Sequence, residues 1–462
     1  MNFFDTVAAV STPRGFGGVA MIRISGDRAI EIGDKMFKAR LPLSETESNR
    51  AVYGKIYLTE ADGERRCVDD GIATVYRAPH SFTGEDTVEI CCHGGVLVTS
   101  TVLTAAFAAG AEPAGAGEFT KRAFINGKIK LSEAEALGSL LTAATREQLD
   151  LARGGMSGAL ARGVDEIYTK LLDVSTAIRA KIDFPDEDLA ELTDEEIESY
   201  LSDSLAATKK LAATYSTGKA VADGIPTVIC GKTNAGKSSV YNRIVGEDAA
   251  IVTDIEGTTR DCLTETVSFG GVTLRLYDTA GLRKTEDKVE MIGIERAKEA
   301  IKKAELIIAV FDGSRPLTED DEESIREIKK SPARAFAVIN KSDLSRDESA
   351  KRIFEEFPNA VEISALCGEG MERLAKKINE AFVDGELDLA RDAIVVNERQ
   401  YAALAQAAEL IREAQSAFSL CVPIDAVCSD IERAMAALAC VDGREVGEDI
   451  VGSIFSRFCV GK

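Results

Sequence analysis

One octapeptide restricts the folds open to this chain more than any other stretch: Gly231-Lys-Thr-Asn-Ala-Gly-Lys-Ser238, which fits G-x-x-x-x-G-K-[ST]. It follows the apolar, β-prone run Thr227 to Cys230 and precedes the helical stretch Ser239 to Val245. A phosphate-cradling loop requires that strand, loop and helix order, because its glycines let backbone amides turn inward onto phosphate oxygens. Lys237 would bring a point charge to the β and γ phosphates, and Ser238 a hydroxyl to magnesium. Apolar runs at Leu274 to Tyr277, Leu306 to Phe311 and Phe336 to Ile339 alternate with helix-like stretches, the pattern of a doubly wound α/β sheet. An α/β region is therefore expected from about Asp223 to about Asp384.

The other elements of a guanine-nucleotide site follow in order. Thr259, within Ile255-Glu-Gly-Thr-Thr-Arg-Asp261, can complete a magnesium shell, and Asp278-Thr-Ala-Gly281 places a carboxylate and a flexible glycine after a strand. Asn340-Lys-Ser-Asp343 supplies a carboxylate that can accept from both the ring N–H and the exocyclic amine of guanine, a donor pair that adenine lacks. Ser364-Ala-Leu366 would close over the base. The expected nucleotide contacts are Asn234, Ala235, Gly236, Lys237, Ser238 and Ser239; Thr253, Asp254, Ile255, Glu256, Gly257, Thr258 and Thr259; Asp278, Thr279, Ala280 and Gly281; Asn340, Lys341 and Asp343; and Ser364, Ala365 and Leu366. Magnesium is expected on Ser238 and Thr259.

The flanks differ. The first region, to about Phe119, mixes short β-rich runs such as Val19 to Ile24 and Val88 to Cys91 with Gly and Pro punctuation, and reads as a small α+β domain. Beyond it, Val164, Ile167, Leu171, Val174, Ile178 and Ile182 recur at spacings of three and four, one apolar stripe on a long helix. The stripe ends at Asp183-Phe-Pro-Asp-Glu-Asp188, and helical pattern resumes to about Tyr215. Leu404, Ala407, Ile411 and Ala414 return to helical spacing after Asp384. The expected architecture is multidomain: an α+β domain over 1–119, a discontinuous all-α helical domain over 120–222 and 385–462, and an inserted α/β P-loop G domain over 223–384.

A net charge of −22 is the wrong sign for nonspecific coating of phosphate backbones, so nucleic-acid contact must be local or shared with a partner. Ten cysteines without a repeated pair spacing fit neither a disulfide frame nor a zinc site. The start MNFFDTVAAVSTPRG lacks a secretory leader's shape, and the uncharged stretch Gly94 to Ala111 is broken by Thr99, Ser100, Thr101 and Thr104. It is expected as a packed helix, and the protein as cytoplasmic.

Along essentially its whole length the sequence resembles the MnmE (TrmE) family of tRNA modification GTPases. The matching blocks are GGVAMIRISG, SFTGEDTVEICCHGG, GEFTKRAFINGKIKLSEAEA, IDFPDED, NAGKSS, AAIVTDIEGTTRD, DTAGLR with VEMIGIERA, and the terminal FCVGK. The resemblance implies a homodimer formed through a folate-binding N-terminal domain. It also implies that, with the FAD protein MnmG, a carboxymethylaminomethyl or aminomethyl group is installed at C5 of the wobble uridine of certain tRNAs. The competing class, a GTPase switch in ribosome assembly, would share the nucleotide region but not FCVGK; a membrane transporter GTPase would need spans.

The resemblance also carries over site residues and roles that the residues alone do not reveal. Potassium would be held by Asn234, Thr253, Ile255 and Thr258; Glu290 would orient or activate the attacking water; Arg23, Glu89, Lys128 and Lys462 would bind 5-formyl- or methylene-tetrahydrofolate. Read without the family, Asn234 is a turn residue, Glu290 belongs to a charged helix start, and the four folate positions are surface charges. Cys459 would lie beside the folate as a thiol for the modification chemistry or a plain buried one, since Gly461 and Lys462 fit a prenylation box poorly. Two departures stand out: Thr233 where the family often has Pro, and Ala114-Gly-Ala-Gly-Glu118 in place of the more usual Arg-Pro-Gly-Glu run.

Overall fold

The computed structural model describes residues 5–13, 15–183, 192–247, 264–277, 303–456 and 458–461. The chain forms two compact units, Met1–Gly138 with Asp442–Lys462, and Ser139–Val441.

In the first unit the strands are β1 (Val7–Val10), β2 (Val19–Ser25), β3 (Phe37–Ala39), β4 (Arg50–Thr59), β5 (Arg65–Tyr76), β6 (Thr87–His93) and β7 (Glu112–Pro113). They form one sheet in the order β3-β4-β5-β6-β2-β1-β7. All pairs are antiparallel except β1 with β7. Successive side chains alternate between faces. Ile22, Ile24, Ala73, Val75, Val88 and Ile90 pack with Ile32, Met36, Val102 and Ala106 of helices Ala29–Met36 and Val96–Ala108. Arg23 and Glu89 are direct cross-strand partners, as are Ile72 and Cys91, and Tyr53 and Ile72. These residues stand on the alternate positions, so the sheet turns a polar and partly exposed face away from its helices.

The C-terminal residues close this unit. Phe455, from helix Glu448–Phe455, is buried with Leu131, Ala134 and Val451. Gly117 N–H donates to the Cys459 carbonyl at 3.3 Å, Ala116 bridges Val460, and Ser11 Oγ donates to the Gly461 carbonyl at 2.8 Å. At Gly461 (φ +96°) a Cβ would fall 2.0 Å from the Val10 carbonyl oxygen, so the glycine of FCVGK lets the tail lie against β1. The Ala114–Glu118 loop is the one that grips this tail.

The second unit contains a helical core and a sheet. Helices Ala159–Asp183 and Asp194–Ala213 share a core with Glu398–Ser419 and Ile424–Asp442, so segments from both sides of the sheet region pack as one layer. Val164, Ile167, Leu171, Val174 and Ile178 are buried there with Leu404, Ala407, Ile411 and Ala414. Ile182, the last residue of the expected stripe, is 42% exposed, because its helix ends at the next residue.

The sheet's strands are β8 (Ile225–Gly231), β9 (Thr264–Phe269), β10 (Val272–Tyr277), β11 (Leu306–Asp312), β12 (Arg334–Asn340) and β13 (Val361–Glu362), in the order β13-β12-β11-β8-β10-β9. All neighbours run parallel except β9 against β10. Val240, Ile244, Leu374 and Ile378 cover one face, and Ile325, Ile328 and Ile353 the other, which makes it doubly wound. The four expected apolar runs fall in β8, β10, β11 and β12; edge strand β9 is not among them. Among the described residues no helix is long and apolar enough to cross a membrane.

Candidate functional site

The carboxyl ends of β8, β11 and β12 meet where the strand order reverses, with β10 on one side of β8 and β11 on the other. Open α/β sheets bind ligands at that crevice. From β8 the chain turns through Gly231 (φ +141°), Asn234 (+66°) and Gly236 (+96°) into helix Lys237–Glu247. A Cβ at Gly236 would fall 2.0 Å from Asn340 Nδ2, so only glycine admits the close approach of these two loops.

Asn340, 3% exposed, is the joint. Its Nδ2 donates to the Ala235 carbonyl at 3.0 Å, and its Oδ1 accepts from Ala365 N–H at 3.0 Å. One buried side chain thus ties the phosphate-type loop to the loop carrying Ser364, Ala365 and Leu366. Ser364 Oγ donates to Asp343 Oδ1 at 2.6 Å and accepts from Cys367 N–H at 3.2 Å, which fixes the Asp343 carboxylate. Lys341 Nζ reaches Asp312 Oδ2 at 2.7 Å, and Arg315 Nε lies 3.1 Å from the same oxygen. Burial pushes the Asp312 carboxyl up, but Lys341 and the Ser314 donors outweigh it and hold the group below its ordinary range.

Lys237 is half-buried and donates to the Lys232 carbonyl at 2.9 Å. Burial lowers its pKa, with the Cys230 thiol opposing, so the ammonium sits where an anion would relieve it. Ser238 and Ser239 follow it, exposed. Three braces escape sequence reasoning. Lys232 Nζ donates to Thr318 Oγ1 and pairs with Asp320 Oδ2, each at 3.0 Å, and Arg315 Nη2 donates to the Thr233 carbonyl at 3.4 Å. They hold the loop at Lys232 and Thr233. Asp312, the third, could have been suspected only from its place at a strand's carboxyl end.

Thr253, Asp254, Ile255, Glu256, Gly257, Thr258 and Thr259, then Asp278, Thr279, Ala280 and Gly281, and finally Glu290 and Lys462 lie outside the described residues.

In the first unit, Arg23 Nε and Nη2 each lie 2.8 Å from Glu89 Oε1, with side chains 14% and 18% exposed. The guanidinium also stands 5.4 and 5.3 Å from the ring centroids of Phe82 and Phe119. Tyr76 Oη donates to Glu89 Oε2 at 3.4 Å. Lys128 Nζ is bonded instead to the Pro79 carbonyl at 2.9 Å, on the turn that carries Phe82. Cys459 is exposed beside Gly117.

The strand order, the glycine-built loop and the Asn340 joint define a P-loop GTP-binding protein. The model described as "GTP-binding protein TrmE N-terminus" matches residues 6–128, and that described as "MnmE helical domain" matches 131–459. The "tRNA modification GTPase MnmE" of Geobacillus thermodenitrificans is 39% identical over 467 residues, covering 100% of both chains. Those of Clostridioides difficile and Lactococcus lactis are 37% and 38% identical, each covering 99% of both chains. The chain belongs to the MnmE (TrmE) family of tRNA modification GTPases. A solved structure of a point variant of Aquifex aeolicus Era bound to GDP.AlF4- is 25% identical, covers 40% of this chain and 65% of its own, and has a TM-score of 0.28.

Proposed function

We propose that this chain is a magnesium-dependent, potassium-stimulated GTPase whose cycle, with MnmG, drives modification of C5 of the wobble uridine in certain tRNAs. The observation that carries the nucleotide half is the Asn340 joint, which ties a phosphate-type loop to a base-type loop in one buried residue. The tRNA half rests on family membership over the whole chain.

Asn234 to Ser239 would enclose the phosphates, Asp343 would read guanine, and Ser364 to Leu366 would cover it. Ser238, an exposed hydroxyl at a helix start beside Lys237, suits magnesium together with Thr259. Asn234, exposed at φ +66°, would by the resemblance hold a potassium ion together with Thr253, Ile255 and Thr258, and such a cation would offset charge developing on the phosphate oxygens. Glu290 would act on the attacking water, and Arg23, Glu89, Lys128 and Lys462 on a tetrahydrofolate. The Arg23 and Glu89 pair offers a fork of donors beside an acceptor, which fits a ligand that bears both carboxylates and amide-like N–H groups. Cys459, beside the Gly117 loop, is the thiol available to that chemistry. A sequence partition into 1–119, 120–222 with 385–462, and 223–384, of which 120–138 and 442–462 pack with the first compact unit, together with dimerisation through the first region and a cytoplasmic location, completes the reading.

Steady-state hydrolysis in matched potassium and sodium salts tests the cation claim: the rate should be much higher in potassium, and equal rates remove it. Mass spectrometry of tRNA nucleosides from cells lacking the protein tests the rest. Retention of the wobble C5 substituent would refute it.

A further inference from the structure

We infer that Arg243 is a positioning residue for guanine recognition, acting from the helix behind the phosphate loop on the loop expected to cover the base. The inference rests on the nucleotide reading above. Arg243 Nε donates to the Ala365 carbonyl at 3.0 Å and Nη2 to the Leu366 carbonyl at 2.8 Å, so a single guanidinium holds two consecutive peptide units. In a trans peptide the C=O and the following N–H point in opposite directions. Drawing the Leu366 carbonyl toward Arg243 therefore turns Cys367 N–H the other way, where it donates to Ser364 Oγ at 3.2 Å. That hydroxyl in turn donates to Asp343 Oδ1 at 2.6 Å. A chain of oriented dipoles runs from Arg243 through one peptide plane and one hydroxyl to the carboxylate that reads the base.

The second contact acts on the other side of the same loop. Ala365 is 5% exposed, its N–H bound to Asn340 and its C=O to Arg243, so its backbone is fixed at both ends. Gly368 (φ +84°) turns the loop back beside the guanidinium, where a Cβ would meet Arg243 Cζ at 3.4 Å. The planar fork suits two neighbouring carbonyls in a way that one ammonium cannot reproduce. Because the residue touches the loop and not the reacting groups, its effect belongs in ground-state binding.

The test compares Arg243→Ala, Arg243→Lys and Asp343→Asn in the full chain, by titration with fluorescent GDP, competition with IDP and ADP, and steady-state GTP hydrolysis. For Arg243→Ala we expect the Kd for GDP and the KM for GTP to rise on the order of tenfold, with kcat changing far less. The preference for GDP over IDP, which lacks the exocyclic amine, should shrink. Arg243→Lys, which keeps the packed stem, should fall between, and it carries the test if the alanine variant does not fold. Unchanged GDP affinity and GDP-to-IDP ratio in both Arg243 variants, with Asp343→Asn impaired, overturns the role of Arg243. Equal loss of GDP and ADP marks a merely structural residue and overturns it too. If Asp343→Asn is also unimpaired, the guanine-site reading itself fails.

Discussion

Around the phosphate loop of the second unit, the shape of the site is set by backbone turns at Gly231 and Gly236 and by the bridging amide of Asn340. On the open face of the first sheet it is set by side chains, Arg23 against Glu89 with Tyr76, brought together by register between strands distant in sequence. The first kind of site tolerates almost no change of shape at its glycines, and its side chains, Lys237 and Asp343 among them, act within a frame that the backbone sets. The second is built on a regular ladder that survives substitution, and its chemistry resides wholly in the residues substituted. The first should therefore break through sterics, and the second through charge.

The largest expected effect is Gly236→Ala. The new Cβ would lie 2.0 Å from Asn340 Nδ2 at a φ that L-residues disfavour, so either the loop or the Asn340 joint must yield. Strain of about 1–3 kcal/mol and the loss of a buried hydrogen bond worth a similar amount together predict a fall in GTP affinity on the order of a hundredfold or more. Nucleotide titration checks it. Affinity within threefold of the parent would mean the joint does not govern the site, and the contrast drawn above would collapse.

Arg23→Ala should act differently. It leaves Glu89, 18% exposed, without its cation, at a cost of about 1–3 kcal/mol to the first unit. Thermal unfolding should shift down, and calorimetry with a formyl-tetrahydrofolate should show binding lost, while GTP hydrolysis persists because the nucleotide loops belong to the other unit. Arg23→Lys should restore stability in part and folate binding little, because an ammonium lacks the fork. Tight folate binding by Arg23→Ala would remove the site from this face.

The same contrast explains what could be read in advance. Gly231, Lys237, Asn340 and Asp343 are legible because their spacing along the chain is itself the mechanism: each lies within a few residues of a strand end. The helix stripe from Val164 to Ile178 is legible for a similar reason, since periodicity is local. Edge strand β9 escapes notice because a strand that pairs on one side only carries a weak apolar signal; Val267 and Phe269 are buried, whereas Glu265 and Ser268 make polar contacts. Arg243, Lys232 and Arg315 could not be found from sequence. Their partners are carbonyls and carboxylates far along the chain, and a lone basic residue on a helix reads as solvated surface. Arg23 and Glu89 came from resemblance alone, since no local pattern announces a cross-strand pair.

The smallest expected effect sharpens the charge side of the comparison, at the far end of the same sheet face. His93 Nδ1 lies 2.8 Å from Asp69 Oδ1, and its backbone N–H donates to Asp69 Oδ2 at 2.9 Å. Asp70, which also faces the ring, accepts from Tyr53 Oη, and Lys55 stands directly across from Asp70 on β4. The hydrogen bond to Asp69, and then its charge, raise the imidazole pKa above its ordinary 6.5 despite a small opposing desolvation. A raised folded-state pKa means that the ion pair's stabilisation is fully present below the unfolded value, and is lost as pH rises through the folded one. The difference in unfolding midpoint between the parent and His93→Gln should thus be largest near pH 6 and vanish on the alkaline side. It should also shrink in high salt, because the imidazole is exposed and its pairing is screened. An NMR titration of the His93 ring gives the direct check: a midpoint at or below 6.5 would show that Asp69 holds the ring by geometry alone, and that the outer end of this face owes nothing to charge.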